Sequence, residues 1–169
     1  WDNARMAREI VARKPDMVGI SAYSPFYHLS ADLAKAIKQI NPDIPIIGGG
    51  PHFTIVKEKA MTPYFDYGFL GEAEDSLPEF LKEFEKGNRY PANIGGVIFR
   101  DKEGKFVSGL PRWVTPDTMK KSDMKGSHPL DRLPLPARHL LPMERYRLGT
   151  PLGRQHFTSL QSARGCPWR

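Results

Sequence analysis

Apolar residues alternate between helical and strand spacing along the first 90 residues of the chain. Residues 1–14 carry an apolar stripe at i, i+1, i+4 and i+5, which predicts a helix, and Pro15 ends it. The apolar run at 17–22 lacks polar alternation and predicts a strand that is buried on both faces.

The same alternation continues, so that three strands and four helices are predicted in this half of the chain. The strands lie at 17–22, 44–48 and 67–70, and the helices at 1–14, at 30–40, within 55–61 and from residue 76 to Gly87. In the last helix, Ser76 and Glu79 form a capping-box pattern. Its predicted buried face consists of Leu77, Phe80, Leu81 and Phe84. The β–α order predicts an α/β fold, a doubly wound parallel sheet with right-handed crossovers.

Three glycines stand where the second strand leaves the sheet, in the stretch from Pro45 to His52. Because glycine has no Cβ, backbone at Gly48, Gly49 and Gly50 can approach a flat or phosphorylated ligand closely. Ligands of open α/β sheets bind outside the carboxyl ends of the strands. A plain tight turn also explains a glycine triplet, but the other two strands end in similarly unusual loops, which favours a ligand crevice.

The pattern changes after residue 92. Residues 93–109 contain two short apolar runs around Asp101 and Gly104, which predict a β-hairpin. Residues 110–153 are rich in proline and basic residues and are interpreted as a linker, whereas 154–169 begin another domain with a strand at 156–161. The sequence thus divides into an α/β domain at 1–92, the hairpin, the linker and the start of a second domain.

Charge, the length of apolar runs and the cysteine count limit the classes of protein to which the chain can belong. The 169 residues have a formal charge of +6, with −2 on residues 1–99 and +8 on residues 100–169. The basic residues of the second part are scattered among prolines, so a solvated linker, or contact with an anionic cofactor or another domain, is favoured over nucleic-acid binding. No apolar run approaches the length of about 20 residues that spans a bilayer. One cysteine, Cys166, excludes an internal disulfide and is compatible with a cytoplasmic setting.

Four motifs resemble the cobalamin-dependent radical SAM enzymes. Residues 48–54 (GGGPHFT) and 66–74 (DYGFLGEAE) resemble the cobalamin-binding half of that family, and 133–138 (LPLPAR) resembles its inter-domain linker. Residues 162–169 resemble the start of its cluster loop, in which three cysteines have the spacing C-x3-C-x2-C. Cys166 corresponds to the first of these cysteines, and the chain stops before the second. The resemblance implies a Rossmann-like cobalamin-binding domain, cut at both ends, followed by the first strand of a barrel.

The resemblance also implies cofactors and the residues that hold them. Cobalamin is expected in the crevice, and a 4Fe-4S cluster and S-adenosylmethionine only in the full-length protein. The cobalamin-binding candidates are Ser21, Ala22, Tyr23, Gly48, Gly49, Gly50, His52, Gly71 and Glu72, and the candidate metal ligand is Cys166. His28 and His52 are the crevice histidines, and each is interpreted as a hydrogen-bonding loop residue rather than as a cobalt ligand. Glu72 is explained equally well by stabilisation of the next helix N-terminus.

The implied activity is that of a methyltransferase or a radical cyclase or oxidoreductase, acting on an unknown small molecule. This piece alone is expected to be inactive, because the active site would lie in the missing barrel. Two alternatives remain open at this point, a non-catalytic module that binds flavin or a nucleotide and a plain interaction domain. Missing upstream strands would leave an open sheet edge, so self-association is a further expectation.

Overall fold

The computed structural model describes residues 2–110, 133–150, 153–156 and 158–159. The chain forms two compact units, Trp1–Trp113 and Val114–Arg169. The first unit contains the predicted α/β domain.

A five-stranded sheet, in the order β1-β2-β3-β4-β5, organises the first unit. Its strands are β1 Val18–Ser21, β2 Ile46–Gly49, β3 Tyr67–Phe69, β4 Val97–Arg100 and β5 Phe106–Ser108. The first three strands are parallel, and β4 and β5 join antiparallel to β3 and to each other. The predicted parallel strands and the predicted hairpin are therefore confirmed, and the hairpin extends the same sheet. The carboxyl ends of β1, β2 and β3 meet at one edge, where the three special loops follow.

Helices lie on both faces of the sheet, as the predicted fold class requires. They are α1 Asn3–Ala12, α2 Tyr27–Ile40, α3 Pro51–Val56 and α4 Ser76–Glu85, with short 3₁₀ helices at Ser24–Phe26 and Lys57–Ala60. The first three helices contribute Ala7, Ala34, Ile37 and Phe53 to one apolar cluster. α4 contributes Phe80 to the other cluster, on the opposite face.

Strand alternation assigns the sheet residues to these two faces. The first face, under α1, α2 and α3, receives Ile46 and Ile98 together with the partly buried Val18 and Ile20. The second face, under α4, receives the residues Ile47, Tyr67, Phe69, Val97 and Phe99. In β1 the residues facing the second side are Gly19 and Ser21, and both are exposed. The prediction that this strand is buried on both faces is therefore wrong.

Two further expectations, both about α4, are corrected by tertiary packing. The N-cap of α4 is Asp75, and Ser76 lies inside the helix and is fully buried, so the capping box does not form. Leu81 is 40% exposed and does not belong to the buried face of α4. The short helix predicted within 55–61 is present as the 3₁₀ helix Lys57–Ala60, and it follows α3, which begins with Pro51 at its first position.

The described part of the second unit is mostly irregular. It contains short 3₁₀ helices at Arg138–Leu140 and Met143–Arg145 and the antiparallel pair β6 Arg147–Thr150 and β7 Gly153–His156. Arg138 donates hydrogen bonds to Thr158 Oγ1 and to the carbonyl oxygen of Ser159. The predicted strand at 156–161 overlaps β7 only at His156. Thr158 and Ser159 are not in a strand, and residues 157, 160 and 161 lie outside the described residues.

Candidate functional site

Three glycines stand at the end of β2, and a different structural feature explains each of them. A Cβ on Gly48 would lie 1.9 Å from Phe53 Cζ, so this glycine makes room for a buried ring on the first face. Gly50 has a φ of +89°, which L side chains rarely adopt, and its backbone is packed against the end of β1. A Cβ on Gly49 would have its nearest neighbour, Phe69 Cβ, at 3.8 Å, which is ordinary contact. Of the three, only Gly49 has room for a side chain, on the second face.

Gly49 belongs to a strip of the sheet that carries almost no side chains. Ser21 pairs with Gly49 in register, and Gly19 lies two residues before Ser21, so all three share the second face. No described atom lies within 4 Å of a Cβ built on Gly19. We call this strip of Gly19, Ser21 and Gly49 the glycine groove. α4 packs on the same face over the neighbouring strands, so the groove lies beside the helix and open to solvent.

The start of α4 adds a buried polar atom on this face. Ser76 is fully buried, and within the described part of the chain its Oγ has no hydrogen-bond partner. A buried hydroxyl normally finds a partner, because an unmade hydrogen bond costs about 1–3 kcal/mol. Ser76 and the core residue Phe80 are one helical turn apart and lie on the same side of α4.

A second set of contacts ties the loops after β1 and β2 together. The backbone amide of His52 donates to the carbonyl oxygen of Ala22 at 3.1 Å. His52 Nδ1 and Ser24 Oγ share a hydrogen bond of 3.0 Å, and the His52 ring stacks on Tyr27 with 4.0 Å between ring centroids. Burial raises the pKa of Tyr27, whose hydroxyl stays protonated and donates to the carbonyl oxygen of Ala60. His52 is thus engaged as a loop-joining residue.

The loop after β3 is joined to the same turn by Thr54. Thr54 Oγ1 donates to the carbonyl oxygen of Gly50 at 3.1 Å and accepts from the backbone amide of Gly71 at 2.9 Å. Glu72, next to Gly71, is half-buried. All three loops at this edge are therefore held by direct contacts to the turn after β2.

The rim of this edge is aromatic. Tyr23 is 60% exposed and Phe26 is 63% exposed, both in the loop after β1. Large exposed aromatic side chains on a soluble domain are typical of surfaces that bind something apolar.

The structure therefore brings the predicted cobalamin-binding residues together at this edge, although only some face the open side. The prediction that His28 is a loop residue is wrong, because His28 lies in α2, where it is exposed. Gly48 and Ala22 are buried by core packing, whereas Ser21, Tyr23 and Gly49 border open space. Sequence reasoning missed Gly19 and Ser76. The alternation of large and small residues in Val18–Ser21 was a visible signal for Gly19, because it indicates a strand with one open face.

Two absences concern only the described part of the chain. It contains no group of three or more His, Cys, Asp or Glu residues that could hold a metal ion. Cys166, the predicted cluster ligand, lies outside it. Within the same ranges, no helix has the length and apolar character that crossing a membrane requires.

One protein-family model matches the part of the chain that contains this edge. The model of the family described as B12 binding domain matches residues 1–81, which contain β1, β2, β3 and the loops that follow them. Residues 1–81 are thus similar to the B12-binding domain family, whose cofactor is cobalamin, and they include the whole glycine groove.

Two curated proteins are similar to this chain over part of their own length. An uncharacterized methyltransferase of Pyrococcus horikoshii is 30% identical over 96% of this chain and 32% of its own length. The anaerobic magnesium-protoporphyrin IX monomethyl ester cyclase of Rubrivivax gelatinosus is 27% identical over 62% of this chain and 20% of its own length. The chain thus spans about a third or less of these curated relatives.

A solved structure shares the fold. The radical S-adenosylmethionine methyltransferase TsrM of Kitasatospora setae, solved with cobalamin and a [4Fe-4S] cluster, is 24% identical. The match covers 61% of this chain and 21% of that chain, with a TM-score of 0.53. The resemblance to cobalamin-dependent radical SAM enzymes that the motifs indicated is therefore confirmed.

Proposed function

We propose that this chain supplies the cobalamin-binding part of a radical SAM methyltransferase that uses S-adenosylmethionine and a 4Fe-4S cluster. The observation that carries the proposal is the glycine groove, a strip of sheet with almost no side chains that opens at the carboxyl edge of the part matched by the B12-binding family. Bound cobalamin would supply the carrier chemistry for the methyl group, and the protein supplies position.

The residues of the groove would hold the nucleotide tail of the cofactor. Gly19 and Gly49 leave the backbone accessible, so a flat group can lie against the sheet without a clash. Ser21, which is exposed at the end of β1, offers a hydroxyl to that tail.

The carboxyl edge would face the corrin ring. Tyr23 and Phe26 present an apolar rim at this edge, and the loops after β2 and β3 are fixed in place through Thr54. His52 would act as a positioning residue rather than as a cobalt ligand. Its Nδ1 bonds Ser24 and its ring stacks on Tyr27, and these contacts fix the loops after β1 and β2 relative to each other. Glu72 would close the far side of the crevice, and Cys166 would be the first cluster ligand, as the motif predicts.

Methyl transfer is favoured over the other reactions by the relatives. The relative with 30% identity over nearly the whole chain is named a methyltransferase, and the cyclase matches a smaller part of the chain at lower identity. Flavin or dinucleotide binding is not favoured, because no G-x-G-x-x-G sequence opens a helix and the family match names B12. A plain interaction domain would not require the glycine groove, so this alternative is not favoured.

Titration with cobalamin tests the proposal. Gly49→Val places a branched side chain over the groove, while the nearest neighbour of its Cβ, Phe69 Cβ, lies at an ordinary 3.8 Å. Visible absorbance should show saturable binding by the natural chain and an affinity at least about tenfold weaker in the variant, a loss of roughly 1.4 kcal/mol.

Ser108→Val is the matched control, because Ser108 is an exposed strand residue on β5, at the opposite side of the sheet. Its affinity should equal that of the natural chain. Equal affinity of Gly49→Val and Ser108→Val, with both variants folded, would remove the groove from the proposal.

A further inference from the structure

The first turn of α3 contacts the loops after both neighbouring strands, β1 and β3. The backbone amide of His52 donates to the carbonyl oxygen of Ala22, directly after β1, at 3.1 Å. Thr54 Oγ1 accepts from the backbone amide of Gly71, in the loop after β3, at 2.9 Å. One short helix therefore connects the two loops that flank the turn after β2.

The hydroxyl group of Thr54 acts as a donor and as an acceptor at the same time. It donates to the carbonyl oxygen of Gly50 at 3.1 Å, and one of its lone pairs accepts the hydrogen of the Gly71 amide. Thr54 is half-buried, and a backbone amide that loses its partner in such a place is destabilised. Valine is similar in size to threonine but cannot accept a hydrogen bond. The hydroxyl, and not the volume of the side chain, therefore joins the turn to the loop.

The loop after β3 starts at a residue with large conformational freedom. Gly71 has a φ of +74°, in the left-handed region, and glycine populates that region and the right-handed one about equally. The hydrogen bond to Thr54 holds the Gly71 amide in one of these conformations. The next residue is Glu72, a half-buried candidate for cobalamin binding. The position of Glu72 therefore depends on a contact made by Thr54.

We infer that Thr54 is a positioning residue for cobalamin, which holds Gly71 and Glu72 at the far side of the crevice before the cofactor binds. This inference rests on the proposed cobalamin-binding function. A loop that already occupies its binding position loses less conformational entropy on binding than a loop that must first be ordered. A loop that occupies this position about one tenth of the time raises the apparent Kd about tenfold.

Cobalamin titration of Thr54 variants of the 169-residue chain, followed by visible absorbance, tests the inference. Thr54→Val removes the hydroxyl and should weaken binding about tenfold, and Thr54→Ala, which also lacks it, should show the loss as well. Thr54→Ser keeps the hydroxyl and should restore the affinity of the natural chain. Hydrogen exchange of the Gly71 amide, measured by NMR, should be faster in Thr54→Val than in the natural chain and slow again in Thr54→Ser.

Tyr67→Phe is the matched control, because it also removes a hydroxyl that donates to a backbone carbonyl oxygen, that of Arg89 at 3.1 Å. Tyr67 is the first residue of β3, at the end of the sheet opposite to the three loops, so this variant should bind cobalamin like the natural chain.

Each contrary outcome has a defined meaning, once circular dichroism shows which variants are folded. Unchanged affinity in a folded Thr54→Val or Thr54→Ala, equal losses in Thr54→Val and Tyr67→Phe, or a Thr54→Ser that binds no better than Thr54→Val would overturn the inference alone. Absence of saturable cobalamin binding by the natural chain would overturn the proposed function, and this inference with it.

Discussion

The two faces of the short strand β2 have different surroundings, the packed core on one side and open space on the other. On the first face, Gly48 has no side chain, and this leaves room for the buried ring of Phe53 to lie against the sheet. On the second face, its neighbour Gly49 lies under open space beside exposed Gly19 and Ser21. Adjacent glycines in the same motif thus have different surroundings: Gly48 is required by core packing, whereas Gly49 borders the open space where we propose that the ligand lies. A glycine motif identifies a place in the fold, and only the packing around each residue tells which glycine serves the ligand.

Among substitutions on the two faces of β2, Gly48→Ala is expected to lower the free energy of unfolding most. The new methyl group would overlap the Phe53 ring, whose Cζ lies 1.9 Å from the Cβ position, and overpacking of this kind costs about 3 kcal/mol. Urea denaturation should show that loss in the free energy of unfolding, while Gly49→Ala should change it by less than about 1 kcal/mol.

Phe53→Leu provides the internal check on this explanation. Combined with Gly48→Ala, it removes ring atoms from the site of overlap, so the double variant should lose less than the sum of the two single losses. Strictly additive losses would mean that Gly48 and Phe53 do not interact, and the assignment of Gly48 to core packing would then fail.

A smaller effect is expected from His52→Ala, at the end of the first face. This change removes the hydrogen bond to Ser24 and the stacking on Tyr27, and it should cost about 1–2 kcal/mol of stability. Ser24→Ala removes the hydrogen bond alone and should cost less. The visible spectrum of bound cobalamin should be unchanged in His52→Ala, because the side chain positions a loop. A spectrum that differs from that of the natural chain would show that His52 ligates cobalt.

The smallest expected effect on stability concerns the part of the second face that α4 covers, where Tyr67 packs against Phe80. Burial, with the nearby Asp66 charge, raises the pKa of Tyr67 to about 12. The folded chain then holds this proton at pH values where the unfolded chain releases it. The stabilisation is therefore complete below about pH 10, the ordinary tyrosine value, and is lost as the pH rises through the folded pKa.

Tyr67→Phe tests that dependence. Between pH 9 and 11 the natural chain should lose more unfolding free energy than the variant, as followed by circular dichroism during urea denaturation. Parallel pH curves for the two proteins would contradict the assignment of this pKa to Tyr67.

The sequence predicts the architecture well because strands and helices differ in apolar period. The uninterrupted runs ending at Ala22 and Gly48 and the stripe of α4 are local signals, and the structure contains the corresponding elements. The meeting of three loops at one edge follows from parallel strand order, which the β–α alternation predicts. The hairpin was also recognisable from its turn residues, although its pairing with β3 depends on long-range contacts.

The finer features depend on partners distant in sequence. No local sequence signal indicates that Phe53 fills the space above Gly48, or that the packing of α4 buries Ser76 in the core. Capping propensity favoured Ser76 as an N-cap, but burial of Phe80 on the same side of the helix prevailed.

The central claim is that cobalamin lies against the glycine groove on the second face, and NMR on the ¹⁵N-labelled chain tests it without any substitution. Titration with cobalamin should shift the backbone amide signals of Gly19, Ser21 and Gly49 in a saturable way. The signals of the opposite strand, Phe106–Ser108, should stay in place. Saturable shifts confined to residues outside the groove, or no shifts at cobalamin concentrations that saturate the absorbance change, would contradict the claim.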